Sequence, residues 1–268
     1  MARNLGDFRP ESLNQFIGFD EVKRNLLEEI EVLNHDIQTA IERDRRNGPD
    51  SWEGLFVSCP HILMVGLPGF GKTTLAELYA AEMSAAVDRF DWPRNPLAVT
   101  DFEFYRGSGA PTSADQFRFA HLDATMLEDW ETLDAYLFEM QPYGVLLIDE
   151  IHNLRPSLQE HLLELLHDGT WESPRGDRRL LHMGWTLIGT TTGESKLRDS
   201  FLSRFDTIIE LREYPQADLR EIVRFTAERA GITLRDDAVD VIANRGRGTP
   251  RDIVKIVRRS ARILEIEV

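Results

Sequence analysis

A short glycine-rich stretch supplies the residues best suited to chemistry in this chain. Residues 66–73 fit the phosphate-loop pattern, which is a glycine, four spacers and then Gly-Lys-Thr. Such a loop turns its backbone N–H groups around an anion, and the positive end of the following helix adds to the attraction. The pattern predicts that Lys72 contacts the β and γ phosphates of a nucleoside triphosphate, and that the Thr73 hydroxyl helps to hold Mg²⁺. The candidate phosphate-binding residues are Gly66, Leu67, Pro68, Gly69, Phe70, Gly71, Lys72, Thr73 and Thr74.

A second reactive pair, Asp149 and Glu150, follows the four consecutive apolar residues at 145–148. A continuous apolar run is typical of a strand buried in a parallel sheet, and such sheets present ligand groups where their strands end. We therefore assign Asp149 to the Mg²⁺ shell and Glu150 to polarising the attacking water. The alternative is an ordinary acidic pair on the surface, and the nearby phosphate loop favours the catalytic interpretation.

Two arginines are candidates for the positive charge that phosphate hydrolysis also needs. Arg204 lies in Phe-Leu-Ser-Arg-Phe at 201–205, and Arg251 lies in Gly-Thr-Pro-Arg at 248–251. Spacing alone does not distinguish either residue from a surface arginine in a salt bridge, so both interpretations stay open.

The elements that must position these residues alternate between strand-like and helical patterns. An apolar run precedes the phosphate loop and a helical pattern follows it, so an ordinary glycine-rich turn is the less favoured alternative. The alternation predicts a parallel sheet covered by helices on both faces, and the closing helical stretch predicts a separate lid. Strands are predicted at 61–65, 117–122, 145–148, 185–190 and 207–211, and helices at 20–46, 156–168, 216–230, 235–245 and 249–265.

Three other segments complete the predicted organisation. Residues 88–116 are punctuated by proline and glycine, which predicts a long loop or an insertion. Residues 170–183 are predicted as a hairpin, and a helix through Met140 is predicted to be capped at residues 123–125. We therefore expect an α/β nucleotide-binding domain at 1–214, which includes the insertion, and a small all-helical lid domain at 215–268.

Composition limits the classes of protein to which the chain can belong. The 268 residues carry a net charge of −15, which argues against a generally basic nucleic-acid-binding protein. No apolar run approaches the ~20 residues of a membrane span, and the first residues lack the apolar core of a signal peptide. A single cysteine, Cys59, excludes an internal disulfide framework, so we expect a cytoplasmic protein without a membrane partner.

Seven separated motifs, taken in their order along the chain, resemble those of the AAA+ ATPases. They are Arg9-Pro10, 16–18, the phosphate loop, 149–152, 186–192, 202–205 and 248–251. The motifs are most similar to those of the RuvB family of Holliday-junction branch-migration motors, over roughly 7–86 and 117–265. The resemblance implies the AAA+ P-loop NTPase fold with a five-stranded parallel sheet and a helical lid, and ATP or ADP with Mg²⁺ as ligands.

The resemblance also implies roles for individual residues. Thr192, with Thr191 beside it, takes the sensor-1 position that contacts the γ-phosphate or the attacking water. Arg204 takes the place of the arginine finger, which in this family reaches into the neighbouring subunit's site, and Arg251 takes the sensor-2 place on the lid. Such a finger implies a homo-oligomeric ring, for which six subunits are expected. The residues that would line the adenine pocket are Phe16, Ile17, Pro250 and, more loosely, Tyr214.

Three functions remain open from the sequence. The resemblance implies an ATP-hydrolysing motor that remodels DNA in recombination or repair, by branch migration or a helicase-like action. The acidic balance of charge favours a remodeller or assembly switch that acts on a protein client or adaptor without touching DNA. The third alternative is a nucleotide-dependent scaffold that hydrolyses ATP slowly, and an intact Glu150 argues against it.

Three differences from the family pattern concern the expected action on DNA and do not affect the ATP site. We expect the family's C-terminal winged-helix domain, which grips DNA, to be missing after the lid. Residues 88–116 look longer than the family's link at this point. The hairpin at 170–183 looks shorter than the one that docks the family's junction-binding partner, although Arg175, Arg178 and Arg179 make it locally basic.

Overall fold

A five-stranded parallel sheet forms the centre of the computed structural model, which describes residues 8–47, 57–90, 117–168, 170–172, 178–180 and 184–266. In chain order the strands are β1 (Ile62–Val65), β2 (Phe117–Asp123), β3 (Met140–Asp149), β4 (Thr170–Glu172), β5 (Arg178–Leu180), β6 (Thr186–Thr191) and β7 (Thr207–Glu210). The sheet has the order β2-β3-β6-β1-β7, and all its neighbouring strands are parallel. The predicted fold class is therefore confirmed.

The described helices either cover the two faces of this sheet or form the lid that follows it. They are α1 (Asp20–Asn47), α2 (Lys72–Val87), α3 (Trp130–Glu139), α4 (Pro156–Asp168), α5 (Asp199–Leu202), α6 (Gln216–Arg229), α7 (Asp236–Arg245) and α8 (Pro250–Ile266). Successive strand residues face opposite sides of a sheet, so the apolar residues of β3 contribute to two hydrophobic cores, one on each face. Val145 and Leu147 pack in the core of α1 and α2, while Leu146 and Ile148 pack in the core of α3 and α4.

The three closing helices form the predicted lid beside α2. Val223 of α6, Val239 of α7 and Ile253 of α8 are buried together. Phe8 and Phe16, from the chain before α1, are buried in the same apolar cluster, which also includes residues of α2. The lid, α2 and the N-terminal arm therefore meet next to the phosphate loop.

Two details differ from the predicted elements. Asp123, in the segment predicted to cap a helix, caps only a short 3-10 turn. Helix α3 begins later, after Asp129, which accepts a hydrogen bond from the Thr132 backbone N–H at 2.8 Å. Strand β3 begins at Met140 rather than at 145, because its first residues continue the pairing with β2. The hairpin prediction is confirmed by the antiparallel pairing of β4 with β5.

Parts of two sequence predictions lie outside the described residues. They are positions 91–116 of the predicted insertion and the hairpin tip at 173–177. Within the described ranges, every helix is too short or too polar to span a bilayer.

Candidate functional site

The loop between β1 and α2 has the backbone conformation that its glycines allow. Gly69 and Gly71 adopt φ angles of 91° and 93°, which residues with a side chain rarely do. A Cβ atom on Gly71 would also lie 3.1 Å from the ring of Phe16. Gly71 is the N-cap of α2 and offers no capping side chain, so the first-turn N–H groups of the helix are available to an anion.

Lys72 is a buried cation at the start of α2, with a relative exposure of 6%. Its Nζ donates hydrogen bonds to the carbonyl oxygens of Gly66 at 2.7 Å and of Leu67 at 3.3 Å. Burial lowers the pKa of Lys72, and the carboxylates of Glu150 and Asp149 oppose that change. The phosphate loop thus keeps an ammonium group ready for an anionic ligand.

Asp149, at the end of β3, lies beside the first turn of α2. Its Oδ2 accepts a hydrogen bond from Thr73 Oγ1 at 3.0 Å, and its Oδ1 accepts one from the Thr190 hydroxyl on β6. A carboxylate and a hydroxyl in contact at a phosphate loop are the oxygen ligands that Mg²⁺ prefers. The side chains of Thr73 and Asp149, which the sequence predicts as Mg²⁺ ligands, are therefore of a suitable type and close enough together to bind this ion.

Glu150 follows in a left-handed conformation, with φ 51° and ψ 45°. Its N–H donates to Thr190 Oγ1 at 3.1 Å, so the strand end is held by the neighbouring strand. A non-glycine residue in this region costs about 1–2 kcal/mol, and such strain is common at functional sites. Glu150 in this conformation connects β3 to the 3-10 turn at Ile151–Asn153.

A polar network next to Glu150 includes two residues, His152 and Lys196, that were not assigned a role from the sequence. His152 Nδ1 lies 3.1 Å from Thr191 Oγ1 and 3.4 Å from Glu150 Oε2. Lys196 Nζ lies 3.4 Å from His152 Nε2 and donates to Thr192 Oγ1 at 2.5 Å. His152 belongs to a recognised motif, whereas nothing in the spacing of Lys196 pointed to the site.

A second network on the other side of Asp149 was also missed. His121, near the end of β2, places Nδ1 3.4 Å from Glu77 Oε1 and Nε2 3.8 Å from Asp149 Oδ2. The other carboxylate oxygen of Glu77 pairs with Arg9 at 3.0 Å. No signal in the sequence could have placed His121 and Glu77 here, because their contact depends on the order of strands in the sheet, whereas Arg9 belongs to the Arg9-Pro10 motif.

Lys72, Asp149 and Glu150 line a cleft of about 650 Å³ between the sheet, the arm and the lid. The sequence-predicted residues on its wall are Phe16, Ile17, Pro68, Gly69, Gly71, Lys72, Thr73, Thr74, Asp149, Glu150, Tyr214, Pro250 and Arg251. Tyr214 is buried, and its hydroxyl donates to the Phe70 carbonyl at 2.9 Å. From α8, Arg258 also reaches the wall, and its guanidinium lies 4.6 Å from the ring centre of Phe8.

Arg204 and Thr192 are not among the residues that line the cleft. Arg204 follows α5 and precedes β7, and its Nε is buried with no hydrogen-bond partner among the described residues. Thr192 instead contacts the Lys196 ammonium. The fold therefore brings the phosphate loop, the two acidic residues and Arg251 together, and leaves Arg204 outside.

The chain is similar to two known domain families and to individual proteins. The ATPase family associated with various cellular activities (AAA) matches residues 62–213, and the RuvB AAA lid domain matches residues 214–259. The Holliday junction branch migration complex subunit RuvB of Acholeplasma laidlawii is 29% identical over 264 residues, which cover 96% of this chain and 63% of that protein. The subunit of the same name from Methanoregula boonei is 31% identical over 258 residues, which cover 94% of this chain and 62% of that protein.

A solved structure agrees with these matches. The Thermotoga maritima RuvB Holliday junction branch migration motor superposes with a TM-score of 0.69 at 26% identity, over 97% of this chain and 67% of that one. The chain spans a little under two thirds of the length of the curated relatives, which is 63% for the Acholeplasma protein. With its AAA domain, RuvB-type lid and phosphate-loop cleft, the chain belongs to the AAA family of ATPases.

Proposed function

We propose that this chain is a Mg²⁺-dependent ATPase that works as a ring of identical subunits and drives the remodelling of branched DNA. One observation carries the proposal. The buried Lys72 ammonium, the Thr73 hydroxyl and the carboxylates of Asp149 and Glu150 meet where the phosphate loop lies beside the end of β3. A cation, a pair of metal ligands and a base are the groups that phosphate-loop enzymes use to hydrolyse ATP.

Each residue then has a defined task in hydrolysis. Lys72 exchanges the loop carbonyls for phosphate oxygens when ATP binds, and Glu150 accepts a proton from the attacking water. Thr73 and Asp149 would hold Mg²⁺, which would supply positive charge to the phosphates. Thr192 orients the γ-phosphate or the water, and Arg251 contacts the phosphates from the lid, so that the lid position follows turnover.

The adenine ring occupies the part of the cleft next to the arm. Its proposed wall is formed by Phe16, Ile17, Pro250 and Tyr214, all of which line the cleft. The Tyr214 hydroxyl already donates its hydrogen to the Phe70 carbonyl, so it has no hydrogen left to donate to the base, and we propose that Tyr214 contributes the face or edge of its ring.

The domain division forms part of the proposal. The nucleotide-binding domain takes residues 1–214 and the lid takes 215–268, in support of which β7 ends at Glu210 and the match to the lid family begins at 214. We also propose a cytoplasmic location, since the single thiol, Cys59, is buried and unpaired with another cysteine.

Arg204 acts on the nucleotide of the neighbouring subunit in this proposal. Its place outside the cleft of its own chain supports action in trans. The test mixes two inactive variants, Arg204→Ala and Glu150→Gln. At some interfaces of a mixed ring, an intact Glu150 faces an intact Arg204, so ATPase activity should return on mixing.

The control for this test is Arg212→Ala. Arg212 is exposed and pairs with Glu210 at 2.7 Å, so its loss should leave hydrolysis unchanged. Two results would reject the assignment. One is full ATPase activity of Arg204→Ala alone, and the other is no recovery of ATPase activity in mixtures whose ring assembly is verified by light scattering.

Branched DNA is the proposed substrate because the relatives are named as subunits of a Holliday junction branch migration complex. A DNA-bound adaptor protein is a further proposed partner, with the β4–β5 hairpin as the element that would meet it. The test measures ATPase rate with a four-way junction, linear duplex and no DNA, over a series of salt concentrations. Stimulation that falls with salt is expected.

The DNA proposal and the ATPase proposal can fail separately. ATP hydrolysis without DNA binding or stimulation would reject DNA as the substrate and indicate a protein client. Absence of hydrolysis by assembled rings with DNA present would reject the ATPase itself. Lys72→Ala serves as the control for contaminating activity, because it removes the buried cation of the phosphate loop.

A further inference from the structure

Two turns bring a histidine and a lysine together behind the proposed base. His152 follows Glu150 in the turn after β3, and its side chain is only 12% exposed. Lys196 lies in the turn after β6, and its Nζ is 3.4 Å from His152 Nε2. On the other side of the ring, His152 Nδ1 is 3.1 Å from Thr191 Oγ1 and 3.4 Å from Glu150 Oε2.

The directions of these hydrogen bonds determine which ring nitrogen carries the proton. An ammonium group can only donate, so Lys196 requires His152 Nε2 to be the acceptor. The Thr191 hydroxyl donates to the Gly193 carbonyl at 3.2 Å, so it accepts from the imidazole. Nδ1 therefore bears the hydrogen and directs it towards Thr191 and Glu150. A protonated ring would aim a second N–H at the Lys196 ammonium, so the arrangement needs neutral His152.

The charged groups around His152 act in opposite directions. Glu150 favours a protonated imidazole, whereas Lys196 and the more distant Lys72 disfavour it. Burial is the largest influence, followed by Lys196, and the pKa of His152 lies below its ordinary value. Without Lys196, a protonated His152 would form an ion pair with Glu150.

We infer that His152 is a positioning residue for Glu150, and that Lys196, in addition to burial, keeps His152 neutral so that Glu150 remains able to accept a proton from water. This inference rests on the proposed role of Glu150 in hydrolysis. Lys196 also holds the Thr192 hydroxyl at 2.5 Å. One lysine thereby links the residue proposed to sense the γ-phosphate with the residue proposed to activate water.

The kinetic test follows the pH dependence of kcat for Lys196→Met, which removes the charge and keeps a long side chain. The acidic limb of the profile should move to higher pH by about one unit, because His152 then protonates and pairs with Glu150. Arg198→Met is the matched control, since the Arg198 guanidinium pairs with Glu160 at 3.0 Å. It should leave the limb in place.

Substitution of His152 separates positioning from a merely structural role. Asparagine retains a donor near the Nδ1 position and cannot titrate, so His152→Asn should keep most of kcat, whereas His152→Leu should lose about tenfold or more. In the double variant Lys196→Met with His152→Asn, the acidic limb should return to its wild-type position. Equal shifts in the single and double variants, or equal losses with Asn and Leu, would overturn the inference.

A measurement without turnover separates this inference from the proposed ATPase. NMR of the full chain labelled with ¹⁵N-histidine should show the Nδ1–H tautomer at His152, and a higher His152 pKa in Lys196→Met. The Nε2–H tautomer or an unchanged pKa would overturn the inference. If the NMR result agrees and assembled rings hydrolyse no ATP, the arrangement of His152 stands and its link to hydrolysis is refuted.

Discussion

His61 connects the amino ends of three strands, at the end of the sheet opposite the cleft. Its protonation should lower the free energy of unfolding. Its Nδ1 accepts a hydrogen bond from the Leu187 N–H of β6 at 3.1 Å. Its backbone N–H donates to Asp206 Oδ2 at 2.7 Å, and its carbonyl accepts from Thr207 N of β7 at 3.3 Å. Because Nδ1 is an acceptor within the sheet, a proton there would break the bond to β6.

The size of the effect follows from the pKa of the ring. Burial lowers the pKa of His61 from 6.5 to about 4, with Asp206 opposing the change. Below pH 6.5 the unfolded chain binds a proton that the folded chain does not, so the free energy of unfolding falls as the pH drops towards 4. A difference of one pKa unit corresponds to about 1.4 kcal/mol. Protonation of His61 in the unfolded chain should therefore lower the free energy of unfolding by about 2 kcal/mol between pH 7.5 and pH 5.

Urea unfolding of the wild type and His61→Asn at pH 7.5 and 5 measures this cost. Asparagine can still accept a hydrogen bond and does not titrate, so the variant should lose about 2 kcal/mol less than the wild type on acidification. His35→Asn, at an exposed position on α1, is the control and should behave like the wild type. Equal losses in the wild type and His61→Asn would refute the assignment of the pH dependence to His61.

Three further predictions concern the site and the single thiol. Glu150→Gln should retain ATP binding and lower the rate of phosphate release by about 100-fold or more, and rapid turnover would remove Glu150 from its role. Gly71→Ala should weaken ATP binding in a nucleotide titration, because its Cβ would meet the ring of Phe16 at 3.1 Å. Gly248→Ala, at φ 73° with nothing within 4 Å, is the control for backbone strain alone, and an equal effect would exclude the contact. Burial raises the pKa of Cys59 to about 12, so a maleimide at pH 8 should label the native chain at least about 100-fold more slowly than the urea-unfolded chain, and equal rates would contradict its burial.

Local patterns predicted most of the fold because they depend on neighbouring residues. Strand-like patterns identified the five sheet strands, and Asp123 caps a turn as predicted for residues 123–125. The second cap, at Asp129, was not predicted. Capping alone could not distinguish the short 3-10 turn after Asp123 from the start of α3. Leu127 adopts an extended conformation and ends the first turn, so the helix has to begin again at Trp130.

Contacts between distant elements were not predictable in the same way. His121 lies near Asp149 because β2 pairs with β3, and the order of strands in a sheet cannot be read from spacing. Lys196 reaches His152 because two turns lie side by side at the carboxyl edge of the sheet. The sequence could suggest which residues have reactive side chains, but not which polar residues would surround them.

The same strands carry the site at one end and their stabilising contacts at the other. Gly66, Asp149 and Thr191 lie at the carboxyl ends of β1, β3 and β6, whereas His61 packs 5.3 Å from the ring of Trp185 at the amino edge. The buried Lys72 and the strained Glu150 are unfavourable for folding, and the fully buried strands β1 and β6 offset that cost. His61→Asn should therefore change the free energy of unfolding at pH 5 while ATP affinity at neutral pH stays the same. A loss of ATP affinity in that variant at pH 7.5 would show that the two edges of the sheet are coupled.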